Sequence, residues 1–205
     1  ALLLQGTDWT SLKDNTKFGM SETHKIKADH EVFYKDEFKT IPVVKQLLDK
    51  AYKQLGSSGG GNHFVEFGIV KLDNPLPEWK LEAKEYVAVL SHSGSRGLGA
   101  NIAKHYTYLA SKQCPLPKNV QHLAWLDLNT HDGQEYWMAM NLAGEYAKAC
   151  HEDIHRRLAK ALGKRIVVTI ENHHNFAWKE MVDGKECIVH RKGATPAAKG
   201  QLGII

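Results

Sequence analysis

Residues 133–162 have the sequence GQEYWMAMNLAGEYAKACHEDIHRRLAKAL, and Gly163 follows them. Apolar side chains recur there in steps of four and three residues, which is the spacing of one face of an α-helix: Tyr136, Met140, Ala143, Ala147, Cys150, Ile154, Leu158 and Ala161. We therefore predict one long helix from about Gly133 to Leu162. Because most of the stability of a helix in a protein comes from packing its apolar face, the flanking chain is expected to cover that face.

Shorter elements flank this helix on both sides. Helical spacing after a leading proline predicts a helix over Pro42–Leu55, and another is expected from Gly97 to about Lys112. Runs of β-branched and aromatic residues predict strands at Phe64–Val70, Tyr86–Leu90, Lys164–Ile170 and Cys187–His190. This alternation predicts an α+β fold in which a mixed sheet is flanked by helices.

The ends of the chain are apolar, with Ala1–Leu4 at one and Leu202–Ile205 at the other. Chain termini are commonly polar and exposed, so we expect an incomplete domain. No internal boundary is visible, and residues 1–205 are predicted to be the central part of a single domain. The opening Ala1–Leu4 lacks the basic flank and the long apolar core of a signal peptide.

The composition favours a soluble cytoplasmic protein. Hydrophobic residues make up 42% of the chain, enough for a core, but no run approaches the roughly 20 apolar residues of a membrane span. Cys114, Cys150 and Cys187 are odd in number and lack CxxC spacing, which argues against a disulfide framework and favours a reducing compartment. The net charge of +4 permits a nucleic-acid partner without requiring one.

Three histidines share one setting at the ends of predicted strands. They are His63 in GGGNHFVE (59–66), His92 in SHSGSRGLG (91–99) and His174 in ENHHNFA (171–177). Neutral imidazole is a common ligand of divalent transition metals, and neighbouring Asn or Glu side chains can hold its tautomer. Any one of them alone is better explained as a partly buried polar residue. The three together favour a metal site.

Two further segments suit phosphate binding. The glycines at 59–61 and at 94, 97 and 99 let the backbone approach a ligand, and Arg96 could add a bidentate clamp at the start of a helix. Neither segment is a Walker A or Rossmann fingerprint, and a flexible loop is the plain alternative. His190-Arg-Lys-Gly-Ala-Thr195 fits a phosphate contact through Lys192 or a solvated basic turn equally well.

The other histidines lack such support. His151 and His155 have the i,i+4 spacing that can hold a metal, but no HExxH pattern accompanies them, so we predict an exposed helix surface. His173 adjoins His174 and is expected to point the opposite way along an extended segment. The remaining histidines have no supporting context: His24, His30, His105, His122 and His131.

Four segments together resemble the RtcB family of RNA ligases. They are GGGNHFVE (59–66), HSGSRG (92–97), His174-Asn175 and HRKGA (190–194), in the family's order and at about its spacings. The first of them is highly specific, and the resemblance extends from about Pro42 to Ile205. It implies an RtcB-like fold and a cytoplasmic RNA ligase of tRNA splicing or RNA repair that depends on GTP and manganese.

The resemblance also implies roles for individual residues. His63, His92 and His174 would be manganese ligands. Arg96 and Lys192 match positions that the family needs for activity, through phosphates of RNA or GTP. The guanine nucleotide would be bound around both of the family's Asn-containing motifs, by Asn62, His63, Phe64, Val65, Glu66, His174 and Asn175.

The family joins an RNA 3′-phosphate or 2′,3′-cyclic phosphate to a 5′-hydroxyl. A histidine first takes GMP from GTP, the GMP passes to the RNA 3′-phosphate, and the 5′-hydroxyl displaces it. Metal ions would polarise phosphoryl oxygens, and the histidine is a covalent nucleophile. The expected partners are thus GTP and RNA, either tRNA halves or cleaved RNA.

Two family motifs have no match in this sequence. They are the Asp-x-x-Cys metal motif, and the His-Gly-Ala-Gly-Arg motif with the guanylylated histidine. His190 does not replace that histidine merely because it is available. Two alternatives therefore stay open: a catalytically inert nucleotide- or metal-binding module, and a metal-dependent hydrolase with a three-histidine site.

Overall fold

A computed structural model describes residues 29–203 of the chain. These residues form two compact units, the first ending at Arg165 and the second beginning at Ile166. The expectations for Ala1–Leu4 and His24, and for the last two residues of the apolar carboxyl end, lie outside the described residues. The placement of all 205 residues in one domain stays a prediction. Within the described residues, no helix is both long and apolar enough to cross a membrane.

The first unit contains five α-helices and one two-stranded sheet in its described part. A short 3-10 helix, Glu31–Tyr34, precedes the first of them. The α-helices are α1 (Glu37–Thr40), α2 (Pro42–Gln46), α3 (Leu48–Gln54), α4 (Arg96–Gln113) and α5 (His131–Ala161). The strands β1 (Phe64–Lys71) and β2 (Glu85–His92) pair antiparallel.

The long helix predicted from residues 133–162 is α5, and its prediction is confirmed. Its first turn is capped by Thr130, whose hydroxyl accepts a hydrogen bond from the Gly133 backbone N–H at 3.2 Å. Its buried face meets the buried face of α4 in a common core: Leu98, Ile102 and Tyr106 from α4, and Ala139, Leu142 and Tyr146 from α5. Burial of each large apolar side chain contributes about 1.5–3 kcal/mol, so this face holds the unit together.

The β1–β2 hairpin packs on the carboxyl-terminal half of α5. Val65 and Phe67 of β1 and Val89 of β2 are half-buried against Ile154 and Leu158. Side chains alternate along a strand, so Phe64 and Glu66 project from the other face and are exposed. The end of the hairpin that carries Phe64 and His92 is therefore fixed to the longest helix of the unit.

Two element predictions are wrong in detail. The helix predicted over Pro42–Leu55 is divided at Leu47 into α2 and α3, and the Leu47 N–H bonds to Val44 O in a tighter 3-10 turn. Lys164–Ile170, predicted as a buried strand, is irregular, with Ile166 43% and Val167 60% exposed. A strand needs a hydrogen-bonded neighbour, and in the described part of the chain neither hairpin pairs with this segment.

The second unit is built around another antiparallel hairpin, β3 (Asn175–Val182) and β4 (Lys185–Lys192). Asp183 and Gly184 connect its strands, both at positive φ (49° and 77°), as a two-residue hairpin turn requires. The strand predicted at Cys187–His190 lies within β4, whereas β3 was not predicted. The α+β class is confirmed, but in residues 29–203 the strands form two separate antiparallel pairs rather than one mixed sheet.

Candidate functional site

The first hairpin brings two of the three predicted metal ligands together. His63 immediately precedes β1 and His92 ends β2, and Phe64 and His92 are paired across the hairpin. The two strand ends therefore coincide, and the imidazole centroids of His63 and His92 are 6.0 Å apart. The Phe64 ring stacks on His92 with a centroid distance of 5.3 Å, which limits the orientation of that imidazole.

Arg96 joins these histidines from the first residue of α4. Its Nε donates to Ser57 Oγ at 3.1 Å, and its Nη1 donates to His63 Nδ1 at 3.4 Å. Arg96 has φ 54°, a left-handed conformation that is uncommon for a residue with a side chain and that clusters at functional sites. We call His63, His92, Arg96 and Ser57 the histidine–arginine cluster.

The Gly/Ser loop passes directly over the guanidinium. A Cβ atom built on Gly59 would lie 1.9 Å from Arg96 Nη1, and Gly59 has φ 96°. The backbone conformation therefore favours glycine at this position, and an added Cβ would also force the Arg96 guanidinium to shift. At Gly59 the group close to the backbone is the side chain of Arg96, and the approach of a ligand to residues 59–61 stays a prediction.

Electrostatics at the cluster favour the neutral imidazole of His63. Burial lowers the pKa of His63 below its ordinary value of 6.5, and the positive charge of Arg96 lowers it further. Smaller contributions in the same direction come from His92 and His151. A neutral imidazole is the form that binds a transition metal, and in this structure its Nδ1 lone pair accepts the hydrogen bond from Arg96 instead.

Helix α5 supports the cluster through residues that the sequence analysis assigned to an exposed surface. His151 is only 8% exposed, and His155 is half-buried with its Nε2 hydrogen-bonded to Ser91 Oγ at 2.9 Å. The surface assignment is therefore wrong for both. Each follows a buried apolar position, Cys150 or Ile154, by one residue and so lies on the flank of the buried face, where burial depends on what packs alongside.

A buried carboxylate of α5 lies against the start of the Gly/Ser loop. Asp153 on α5 is 2% exposed, and its Oδ2 accepts a hydrogen bond from Arg157 Nε at 2.7 Å. A Cβ on Gly56 would lie 2.0 Å from the same oxygen. Gln54 Oε1 accepts from the Gly97 backbone N–H at 2.9 Å and so connects the start of the loop to the start of α4.

The remaining residues predicted in the first unit fall on both faces of β1. Asn62 is exposed, as are Phe64 and Glu66, which share the outer face of the strand. Val65 points the other way into the packing against α5, so its backbone, not its side chain, is available to a ligand. The alternation of side chains along a strand is enough to predict that Val65 points to the opposite face from Phe64 and Glu66.

The second unit gathers its own predicted residues at one hairpin end. Asn175 begins β3 opposite Lys192, the last residue of β4. Asn175 Oδ1 accepts from the Gly193 N–H at 2.8 Å, and His174 O accepts from the Ala194 N–H at 3.0 Å. Lys192 is exposed beside them. His174, Asn175 and Lys192 therefore lie at one end of this hairpin.

The neighbouring cation has a structural role. Arg191 forms a two-bond ion pair with Glu180, with Nη1–Oε1 and Nη2–Oε2 distances of 2.5 and 2.8 Å. Its guanidinium also lies 5.1 Å from the Trp178 ring centroid. Of the basic residues in His190-Arg-Lys, Lys192 is thus the one that projects from the hairpin end.

Convergence of all three histidines on one ion stays a prediction. Among residues 29–203, no group of three or more His, Cys, Asp or Glu side chains is arranged to hold a metal. His63 and His92 belong to the first unit and His174 to the second. The predicted common crevice for Arg96 and Lys192 likewise spans two units and stays a prediction.

Comparison with known proteins gives one consistent family. The family model described as tRNA-splicing ligase RtcB matches residues 1–205. The tRNA-splicing ligase RtcB of Methanococcus maripaludis is 35% identical over 164 residues, 70% of this chain and 34% of the relative. RNA-splicing ligase RtcB homolog 1 of Entamoeba histolytica is 32% identical, covering 76% of this chain and 33% of the relative.

A bacterial relative has a similar match. RNA-splicing ligase RtcB1 of Escherichia coli is 31% identical over 170 residues, 75% of this chain and 38% of the relative. The chain thus spans about a third of the length of these three relatives.

Proposed function

The chain belongs to the RtcB family, and from that membership we propose that it forms part of an RNA ligase that joins an RNA 3′-phosphate or 2′,3′-cyclic phosphate to a 5′-hydroxyl. The observation that carries the proposal is the histidine–arginine cluster. It places two metal-capable imidazoles and a guanidinium at one hairpin end, within the family's two Gly-rich motifs. Phosphoryl transfer depends on positioning and on positive charge near the transferred group, and the cluster can supply both.

The two imidazoles of the cluster have the chemistry of ligands for a divalent transition metal. His63 and His92 are adjacent, and the pKa of His63 is lowered, so its neutral form is favoured. We propose that His63, His92 and His174 hold the ion, which when bound supplies a Lewis acid for phosphoryl oxygens. The guanine nucleotide of GTP would lie against Asn62, the backbone of Phe64 and Val65, Glu66 and Asn175.

Metal binding would change what Arg96 contacts. A neutral imidazole has a single ring lone pair, and on His63 this lone pair accepts the hydrogen bond from Arg96 Nη1. An ion bound to His63 would need that lone pair, so Arg96 would be released from it. The freed guanidinium is a bidentate donor that can bind a phosphate of RNA or GTP. Lys192 would provide a second positive charge for these phosphates.

The covalent step would need a histidine that takes GMP from GTP. No residue of this sequence matches the family's His-Gly-Ala-Gly-Arg motif, and none matches its Asp-x-x-Cys metal motif. We therefore propose that residues 1–205 alone bind the ion weakly and do not become guanylylated. After incubation with labelled GTP and Mn²⁺ and then denaturation, the chain should carry no label. Stable label that disappears in His190→Ala would show that the nucleophile lies within this chain.

Ligation itself is tested with the protein encoded by the complete open reading frame. A labelled RNA with a 2′,3′-cyclic phosphate and a second RNA with a 5′-hydroxyl are mixed with GTP and Mn²⁺, and the joined product is measured on a gel. His92→Ala and Arg96→Ala should each lower the rate at least about 100-fold, as is typical for loss of a group that stabilises transferred charge. His131→Ala is the matched control, since its side chain is 86% exposed.

The same assay tests the second hairpin. Lys192→Ala should reduce ligation, whereas Lys71→Ala, at a side chain that is 70% exposed on β1, should not. A wild-type protein that joins no RNA with GTP and Mn²⁺, or that works equally well with ATP alone, would contradict the proposal. Hydrolysis of the cyclic phosphate without joining would favour the metal-dependent hydrolase instead.

A further inference from the structure

The chain contains a long segment without acidic residues that begins within β2 and continues beyond α4. Residues 86–126 include no Asp or Glu, although the chain has 23 acidic residues. The same segment carries Arg96, Lys104, Lys112 and Lys118. An uninterrupted run of one sign of charge produces a local field that attracts polyanions, even where the net charge of the chain is modest.

Three of the four basic residues of this segment lie in α4, and two of them share one exposed face of that helix. The buried side of α4 is formed by Leu98, Ile102, Tyr106 and Ala110. The opposite side carries Lys104, Tyr108 and Lys112 at steps of four residues, all exposed. From Arg96 to Lys112 the helix rises about 24 Å, so this face leads away from the histidine–arginine cluster over the length of several nucleotides.

An aromatic ring stands between the two lysines. Tyr108 is 61% exposed, and Lys112 Nζ lies 5.4 Å from its ring centroid. Beyond α4, the 3-10 helix Gln121–Leu123 contacts α4, and Trp125, two residues later, is 62% exposed. Lysines interleaved with exposed aromatic rings are the usual chemistry of single-strand binding, in which phosphates meet the cations and bases stack on the rings.

The acidic groups that bond to α4 do so away from this face. Glu135 of α5 accepts from the Tyr106 hydroxyl at 2.7 Å, on the buried side of α4. Asp132 of α5 accepts from the Gln113 side-chain amide at the carboxyl end of the helix. Within residues 29–203, both of these carboxylates belong to the contact between α4 and α5, and neither bonds to the Lys104–Tyr108–Lys112 face.

We propose that the face of α4 formed by Lys104, Tyr108 and Lys112, here called the α4 face, binds single-stranded RNA. The two lysines contact phosphates, a base stacks on Tyr108, and the strand runs from Arg96 along the helix. The inference rests on the proposed ligase function because it gives the RNA of that reaction a path from the cluster. It assigns binding, not catalysis, to these residues.

The test measures RNA affinity directly. A fluorescent single-stranded RNA of about 12 nucleotides with a 3′-phosphate, within the usual site sizes, is titrated with the full-length protein and followed by fluorescence anisotropy. Tyr108→Ala should weaken binding about 5- to 100-fold, the usual range for one stacked base. Tyr108→Phe keeps a ring for stacking and should keep the affinity.

The lysines are tested by salt dependence. Each of Lys104→Gln and Lys112→Gln should reduce the slope of log K against log salt by about 0.7, the value for one phosphate contact on a single strand. The matched controls are Tyr34→Ala and Lys39→Gln, at side chains that are exposed elsewhere in the first unit. Neither control should change the affinity or the slope.

Several results would overturn the inference. The inference is wrong if Tyr108→Ala keeps its RNA affinity and both lysine variants keep the salt slope of the wild type. It is also wrong if Tyr34→Ala loses as much RNA affinity as Tyr108→Ala. Duplex RNA or anionic vesicles that bind with the same dependence on Tyr108 would assign the α4 face to a different partner. The experiment distinguishes failure of this inference from failure of the proposed ligase function. A wild-type protein that binds RNA through Tyr108 but joins no RNA ends would contradict the ligase function and support RNA binding by the α4 face. A protein that joins RNA ends but whose RNA affinity is unchanged in these variants would contradict only the proposal that the α4 face binds RNA.

Discussion

The Arg96 guanidinium packs directly against the backbone of Gly59 in the Gly/Ser loop. A Cβ on Gly59 would meet Arg96 Nη1 at 1.9 Å, and φ at this position is 96°. Gly61, two residues on, also has positive φ (73°) but has nothing within 4 Å of its Cβ position. A comparison of substitutions at Gly59 and Gly61 therefore distinguishes the cost of a steric collision with Arg96 from the cost of a strained backbone.

We predict that Gly59→Ala is clearly more destabilising than Gly61→Ala. The second substitution should cost about 1–2 kcal/mol for the left-handed backbone alone. The first should add about 1–3 kcal/mol, as overpacking usually does, because the guanidinium must leave Ser57 and His63. Urea unfolding of the two variants measures the difference. Equal losses would show that Arg96 moves aside freely and is not held by the loop.

His63 gives a prediction on pH. Burial and the charge of Arg96 lower its pKa below 6.5 in the folded chain, so the unfolded chain takes up the proton first as pH falls. Well above pH 6.5, His63 is neutral in both the folded and the unfolded chain and the shift does not affect stability. The free energy of unfolding falls as pH drops from about 6.5 to the pKa of His63 in the folded chain. An NMR titration, with His63→Gln to assign the resonance, should find the midpoint below 6.5. Arg96→Gln should raise it in part, since burial remains; a midpoint at or above 6.5 in the wild type would contradict the lowered pKa.

At the scale of elements, α5 is both the packing partner of the first unit and the support of its site. One turn of this helix places Asp153 inward, 2% exposed, against Arg157, whose side chain is 11% exposed. The neighbouring Glu152 points outward, with a side chain 44% exposed, and pairs with His30 and Lys148. Burial differs sharply between adjacent acidic residues of one helix.

We predict that Asp153→Asn destabilises the protein by about 3–5 kcal/mol, because it leaves the charge of Arg157 largely buried and uncompensated. Glu152→Gln should change stability by at most about 1 kcal/mol, as expected of a solvent-exposed pair. Thermal or urea unfolding compares the two variants. A similar small effect of both would mean that water reaches Arg157 and that the loop at Gly56 does not depend on this carboxylate.

At the scale of the whole molecule, the segment from Gly163 to Ile170 connects the two units. Lys164 and Arg165 are exposed and lie outside any helix or strand, whereas Lys160 lies within α5. Such exposed irregular segments are the preferred sites of proteolysis. His63 and His92 precede this segment in the chain, and His174 follows it.

We predict that trypsin cuts the full-length protein after Lys164 or Arg165 but spares Lys160. GTP with Mn²⁺ should slow this cleavage several-fold, since a ligand that binds only the folded chain reduces the population in which this segment is locally unfolded and cleavable. Cleavage after Lys80, exposed in the loop of the first hairpin, serves as the reference and should not change. His174→Ala should abolish the protection; protection that survives this change would separate His174 from the site.

The sequence by itself determined the elements whose signals are local. The period of the apolar residues from Tyr136 to Ala161 identified α5 to within two residues at its start, and the β-branched runs identified β1 and β2. The Gly-rich Asn-His and His-Ser-Gly motifs indicated His63, His92 and Arg96 as candidate site residues. These features could be predicted because helix period, strand alternation and turn glycines are properties of neighbouring residues.

Tertiary structure alone decided which faces are covered. His151 and His155 look like polar surface positions until the hairpin packs over that side of α5, and Lys164–Ile170 looks like a buried strand although no neighbour pairs with it in residues 29–203. The contact of Arg96 with Ser57 and His63 likewise joins residues more than 30 positions apart. Burial and pairing depend on what the rest of the chain brings alongside a segment, and that information is not contained in the segment's own pattern.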